Sequence, residues 1–132
     1  MTRVIRRYAF SAAHVLARGD WSDERNRAVY GKCANPSGHG HNYRIELTLE
    51  NAPDAGAQLD AVVRERVLDD LDGRFLNRET RGFARLVPTA ENIARHIWDT
   101  LSPAVAPARL ACVRLVETSN NSVEYFGSEP AP

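Results

Sequence analysis

Apolar and polar residues alternate cleanly from Asn42 to Asn51, with Tyr43, Ile45, Leu47 and Leu49 on one side and Arg44, Glu46, Thr48 and Glu50 on the other. A period of two marks a strand with one face buried and one wet. Val4 to Ala13 alternates in the same way around Arg6, Tyr8, Phe10 and Ala12, and predicts a second such strand. Between the two, Ala17 to Ser37 is rich in charge, Gly and Asn and reads as a long surface loop. The period then changes. After a break at Asn51-Ala52-Pro53-Asp54-Ala55-Gly56, the residues Leu59, Val62, Val63, Val67 and Leu71 recur at helical spacing. Beyond Pro88, Thr89 is suited to cap a second helix, with Glu91 in its first turn, Ile93, Ile97, Trp98 and Leu101 along one stripe, and a stop before Pro103. Strand patterns return at Ala108–Glu117 and Ser122–Gly127, joined by a turn at Ser119-Asn120-Asn121.

The order strand, strand, helix, helix, strand, strand predicts an α+β domain spanning 1–132, with an antiparallel four-stranded sheet and two helices on one face. An open sheet of this kind has edges to protect, and pairing them between copies of the chain is one solution, so a homo-oligomer is expected.

Composition narrows the class. The 132 residues carry 17 basic and 17 acidic side chains, a balance that gives no reason to expect nucleic acid or an anionic membrane as partner. No apolar stretch reaches the roughly 18 residues that cross a bilayer, and Met1-Thr2-Arg3-Val4-Ile5-Arg6-Arg7 has no apolar signal core. A cytoplasmic protein is expected. Of the two cysteines, Cys112 lies in a strand-like run where the residue acts as a small hydrophobe, so a Cys33–Cys112 disulfide is not expected. Lys32 is the sole lysine beside 16 arginines, and it precedes Cys33. Arg25, Arg27 and Lys32 in the loop read as a solvated charged face.

Candidate chemistry concentrates in Cys33-Ala34-Asn35-Pro36-Ser37-Gly38-His39-Gly40-His41-Asn42-Tyr43 and in Phe10-Ser11-Ala12-Ala13-His14. On a strand, His39 and His41 point the same way, and His14 ends the neighbouring strand. Three neutral imidazoles suit Zn2+ and leave a fourth position for water or substrate, the pattern of a catalytic site. The competing reading is a polar hairpin turn and an unrelated strand-end histidine. His96, inside the second helix, reads as a surface or packing residue.

These motifs together closely resemble the 6-pyruvoyltetrahydropterin synthase family, which includes the bacterial 6-carboxytetrahydropterin synthases. F-x-A-A-H, C-x5-H-G-H-N-Y, Pro88-Thr89-Ala90-Glu91-Asn92 before Ile97-Trp98, and Val116-Glu117-Thr118 before Tyr125 follow the family's order over most of the chain. The resemblance implies a tunnelling fold assembled as trimers or hexamers, 7,8-dihydroneopterin triphosphate as substrate, and zinc on His14, His39 and His41. It also implies a cysteine base at Cys33 and a pterin-anchoring carboxylate at Glu117. Glu117 would accept two adjacent N–H donors of the pterin edge. Thr89, Glu91 and Thr118 are candidates to line the same pocket, with helix capping as the alternative role of the first two. The zinc and Lys32 would favour the Cys33 thiolate, and no dinucleotide fingerprint accompanies these motifs.

Two stretches depart from the family. Its Leu-Asp-His, whose acid and imidazole join the cysteine in proton transfer, is here Leu71-Asp72-Gly73, and Asp54-Ala55-Gly56-Ala57-Gln58 replaces the usual strand end before the first helix. The expected function is therefore a zinc-dependent pyruvoyl-type lyase in which Cys33 and Asp72 suffice. The alternatives are a carboxy-type synthase, an enzyme that cleaves a carbon–carbon bond of the pterin side chain, a member turned to an unrelated ligand, or a zinc- and pterin-binding protein without turnover. The Cys-x5-His spacing is nearer to the pyruvoyl type.

Overall fold

The computed structural model describes residues 2–52 and 56–128. Two long strands, β1 (Arg3–His14) and β2 (His39–Glu50), pair antiparallel over their whole length, from Arg3 opposite Glu50 to His14 opposite His39. The next strand in the sheet, β4 (Arg109–Thr118), runs antiparallel to β2, and β5 (Asn121–Tyr125) pairs with β4. The predicted strands are present, with β1 and β2 each including its histidines.

The sheet is not the four-stranded antiparallel one expected. A two-residue strand, β3 (Arg74–Phe75), lies parallel to β1 against Ala12 and Ala13, so the order is β3-β1-β2-β4-β5 and the sheet is mixed. Two residues carry no period, and only tertiary pairing makes them a strand.

Tyr43, Ile45, Leu47 and Leu49 are buried, as are Phe10 and Ala12 beside them and Val113 and Leu115 on β4. Helix α2 (Gly56–Val63) covers this face with Leu59 and Val63, then passes through a π-helical segment, Arg64–Leu68, into a last turn, α3 (Asp69–Leu71). A short α4 (Leu76–Glu79) follows β3. The second long helix, α5 (Ala90–Leu101), inserts Ile93, Ala94, Ile97 and Leu101 into the same core. Thr89 caps it as predicted, its Oγ1 accepting from the Asn92 amide at 3.2 Å. Of the expected break at 51–56, residues 53–55 lie outside the described residues, which leaves Asp54 and Ala55 of the departing stretch undescribed too.

The stretch 17–37 is more ordered than a surface loop. It holds helix α1 (Asp23–Tyr30), capped by Ser22 and with Asp23 and Glu24 in its first turn, and a 3-10 turn, Gly31–Ala34. Acidic residues near a helix N-terminus and a serine cap stabilise a helix without any apolar stripe, which is why periodicity misses it.

The other sheet face carries ion pairs instead of a core. Glu46 on β2 accepts from Arg7 and Arg114, and Glu50 from Arg3 and Arg109. Both cysteines are free and half-buried.

Candidate metal centre

The pairing register sets the site. His14 faces His39 across β1 and β2, Ala12 faces His41, and Phe10 faces Tyr43, all on the core side at one end of the sheet. The three imidazoles meet as a corner. Ring centroids are 4.6 Å apart for His14–His39, 5.1 Å for His14–His41 and 4.9 Å for His39–His41, with interplanar angles of 70°, 88° and 89°. One ligand atom from each lies within 4.8 Å of the others.

The turn into β2 depends on Gly38. Its φ of 73° favours glycine, and a Cβ there would lie 2.8 Å from the Phe75 ring and 3.1 Å from the His14 carbonyl oxygen. His39 follows directly, so this close approach delivers the second imidazole to the first.

His14 is 1% exposed. Its Nδ1 lies 2.8 Å from the Pro88 carbonyl oxygen, an acceptor only, so Nδ1 carries the proton and Nε2 presents its lone pair. That Nε2 is 3.0 Å from His39 Nε2. The Tyr43 hydroxyl lies 3.3 Å from His14 Nδ1, behind the ring. Burial lowers the His14 pKa, opposed by the Pro88 carbonyl, and burial followed by the neighbouring His41 lowers that of His39. Both rings are thus held neutral, the form a metal requires. Burial, and then the Glu117 charge, raises the Tyr43 phenol.

The clearest sign of a missing partner is His41. Its Nε2 is a buried side-chain nitrogen with no hydrogen-bond partner among the described residues, a cost a fold retains where a ligand satisfies the atom. Three imidazoles, one with an orphaned nitrogen, fit a divalent metal ion.

The other expected residues stand around this centre with different degrees of engagement. Glu117 lies near the end of β4, at the bulge between Val116 and Thr118, and is half-buried. Its charge acts on His14, His39 and Tyr43, and its Oε1 accepts from Asn121 Nδ2 at 3.2 Å. Cys33 sits half-buried in the 3-10 turn, its carbonyl accepting from the Leu16 amide at 2.8 Å, two residues beyond His14. Asp72 is exposed at the outer edge of β1, where Oδ1 accepts from the Ser11 amide at 2.8 Å while the Gly73 amide donates to the Ser11 carbonyl at 2.7 Å. Gly73 has a φ of 71°, and a Cβ there would meet nothing within 4 Å. It borders a shallow depression of about 470 Å3 that also touches His41, Gly40 and Phe75.

Glu91 is exposed, and Thr118 is the exposed last residue of β4, whose Oγ1 accepts from the Asn120 amide at 3.3 Å. Thr89 lines a larger cavity of about 660 Å3 with Ala17, Tyr30, Phe83 and Val87, which the three histidines do not line. His96 packs on Phe83 and lies 3.6 Å from Asp70, outside the metal group, as a packing histidine should.

Periodicity gave no sign of the site's supports. Pro88 acts through its carbonyl, Tyr43 reads as core, and Asn77 holds the exit of β1: the Val15 amide donates to Asn77 Oδ1 at 2.8 Å and Asn77 Nδ2 donates to the Val15 carbonyl at 2.9 Å.

The profile of the family described as 6-pyruvoyl tetrahydropterin synthase matches residues 3–128. The chain is 39% identical over 132 residues to the 6-pyruvoyl tetrahydrobiopterin synthase of Homo sapiens, covering 95% of this chain and 91% of that protein. It is 37% identical to the Dictyostelium discoideum protein of the same name, over 92% of this chain and 93% of that one. Among solved structures, the 6-pyruvoyl tetrahydropterin synthase of Caenorhabditis elegans superposes with a TM-score of 0.88 at 34% identity, covering 96% of each chain.

Proposed function

This chain belongs to the 6-pyruvoyl tetrahydropterin synthase family, and we propose that it is a zinc-dependent lyase that converts 7,8-dihydroneopterin triphosphate to 6-pyruvoyltetrahydropterin by triphosphate elimination with internal redox. The observation that carries the metal-dependent chemistry is the corner of three imidazoles with its unpartnered His41 nitrogen.

His14, His39 and His41 would hold the zinc, which supplies Lewis-acid polarisation of side-chain hydroxyls when bound. Around it the protein's own groups have separable tasks. Glu117, whose charge reaches His14, His39 and Tyr43, orients the pterin by accepting its paired N–H donors. Cys33 moves protons between side chain and ring as the base. The Nδ1–Pro88 bond keeps the His14 ring in the ligating tautomer. Asp72 has one carboxylate oxygen committed to the Ser11 amide, so its part in proton transfer rests on the other.

Gly73 favours a second reading. The open space at this position beside His41 leaves room for a different substrate group where the family places an imidazole, as a carboxy-type or side-chain-cleaving enzyme would need. Among the described residues, β1 beyond its two pairs with β3 and the outer side of β5 have no strand partner, which supports a homo-oligomer; a trimeric or hexameric size rests on the family resemblance, and a cytoplasmic location on the sequence.

Incubating zinc-loaded protein with 7,8-dihydroneopterin triphosphate, beside Cys33→Ala, tests the assignment by product mass. Released triphosphate with 6-pyruvoyltetrahydropterin, lost in Cys33→Ala, is the expected result. A carboxy product or a shortened side chain establishes the second reading, and no turnover overturns both.

A further inference from the structure

Helix α1 buries a single residue, and that residue is polar: Asn26 is 5% exposed. Its apolar neighbour Val29 is 56% exposed, so the helix offers no hydrophobic face to the core. Trp21 stacks on Tyr30 and Arg25, contacts within the same segment. What fastens the helix is the Asn26 side-chain amide, which accepts from the Arg18 amide at 2.8 Å and donates to the Arg18 carbonyl at 3.0 Å. One side chain thereby makes both hydrogen bonds of a strand pair. The arrangement repeats at Val15, held by the Asn77 amide in the same two-bond manner.

The two clamps bracket the four residues that leave β1 directly after His14. Between them the Leu16 amide donates to the Cys33 carbonyl. Cys33 lies in the 3-10 turn that follows α1 directly, joined to it through Gly31, whose φ of 58° ends the helix, and that turn adds one buried methyl, Ala34. The cysteine-bearing unit is therefore attached to the strap beside the first metal ligand through hydrogen bonds to Leu16 and Arg18, with the bidentate amide as the larger of the two ties.

We propose that Asn26 is the positioning residue for Cys33: by clamping Arg18 it sets where the α1 unit, and with it the thiol, stands relative to His14. A buried asparagine is a costly way to dock a helix compared with an apolar side chain. What it gives in return is register, because a planar amide with two fixed partners admits one placement where a greasy contact slides. The consequence for turnover rests on Cys33 being the base; the positional claim does not.

The test is the rate of alkylation of Cys33 by iodoacetamide in zinc-loaded Asn26→Ala, with Cys112 on β4 as the internal reference. Losing both hydrogen bonds is expected to raise the population of the opened segment, and so the Cys33 rate, about tenfold. The Cys112 rate and zinc stoichiometry stay as in the parent protein. Turnover is expected to fall by as much as about a hundredfold in kcat, the scale of an ångström of misplacement, with KM little changed. Asn26→Asp keeps acceptance from the Arg18 amide and loses donation to its carbonyl, so it should fall between the two in Cys33 rate. It also stands in should Asn26→Ala fail to fold. A Cys33 rate within about twofold of the parent, a difference too small for two lost hydrogen bonds, or a Cys112 rate rising in step with it, overturns the proposal. Full turnover in Cys33→Ala alongside a raised alkylation rate in Asn26→Ala would remove the base assignment and leave the positioning intact.

Discussion

Replacing His41 by leucine should move stability in opposite directions with and without metal. In the metal-free protein, His41 Nε2 is buried and unpaired, and an unsatisfied buried polar atom costs roughly 1–3 kcal/mol. Leucine has a similar volume and no polar atom to satisfy, so His41→Leu removes that cost. Because the His41 ring is only half-buried, the gain belongs at the lower end, about 1 kcal/mol. For a chain of this length, that is a rise in Tm of about 4 °C. With zinc at about 100 times its Kd, the parent gains about 2.7 kcal/mol by mass action, or about 10 °C. Two remaining imidazoles cannot form the three-ligand set, and His41→Leu should lose most of that gain. Differential scanning calorimetry in chelator and in excess zinc reads both quantities. The curves should cross, the variant melting higher without metal and lower with it. A variant that melts below the parent in chelator and still rises by about 10 °C with zinc would refute both the strain at His41 and its role as ligand.

Gly38→Ala places a methyl against the Phe75 ring and the His14 carbonyl at a positive φ, so it should lose about 2–3 kcal/mol and weaken zinc binding together, because His39 is displaced with the turn. Chemical denaturation and chelator competition measure the two effects, and an unchanged zinc affinity would break the link drawn between the turn and the site. Metal-free stability should fall with acid in two windows. Below about pH 6.5 the unfolded chain takes up protons that buried His14 and half-buried His39 resist, and below about pH 4 it takes up those that Asp60 and Glu46 resist. In each case the folded pKa is the lower one, so stability is full above the unfolded value and is lost as the pH falls through the folded value. The Tyr8 hydroxyl and Arg6 hold Asp60 down, so Asp60→Asn should shrink the second window to the Glu46 part and leave the first unchanged in pH-dependent melts, and an identical acid limb would exclude the Asp60 contribution.

How much of this protein can be read from its residues depends on whether a role is written in side-chain identity or in the pairing of backbone groups. Tyr43, Ile45, Leu47 and Leu49 are legible as a buried face because half-burial forces a period of two. His39 and His41 are legible as a pair for the same reason, and the register of β1 on β2 brings in His14. Helix α1 has no apolar stripe because its one buried contact is an asparagine, and β3 is a strand only because β1 accepts it. Pro88, whose carbonyl meets His14, and Asn77 and Asn26, whose amides fold onto the backbone of Val15 and Arg18, look in the sequence like a helix breaker and two surface polar groups. Gly73 shows the same divide from the other side. The family resemblance implies an imidazole at this position, but the backbone of Gly73 lies where an L side chain is strained, while the space beside it is open. Restoring histidine there is therefore opposed by the conformation of the turn, which is built on the Gly73 amide and the Asp72 carboxylate closing around Ser11. A histidine at 73 would disturb the backbone pairing at Ser11 as well as add a proton carrier, so chemistry at this position has to be interpreted together with the geometry of β1.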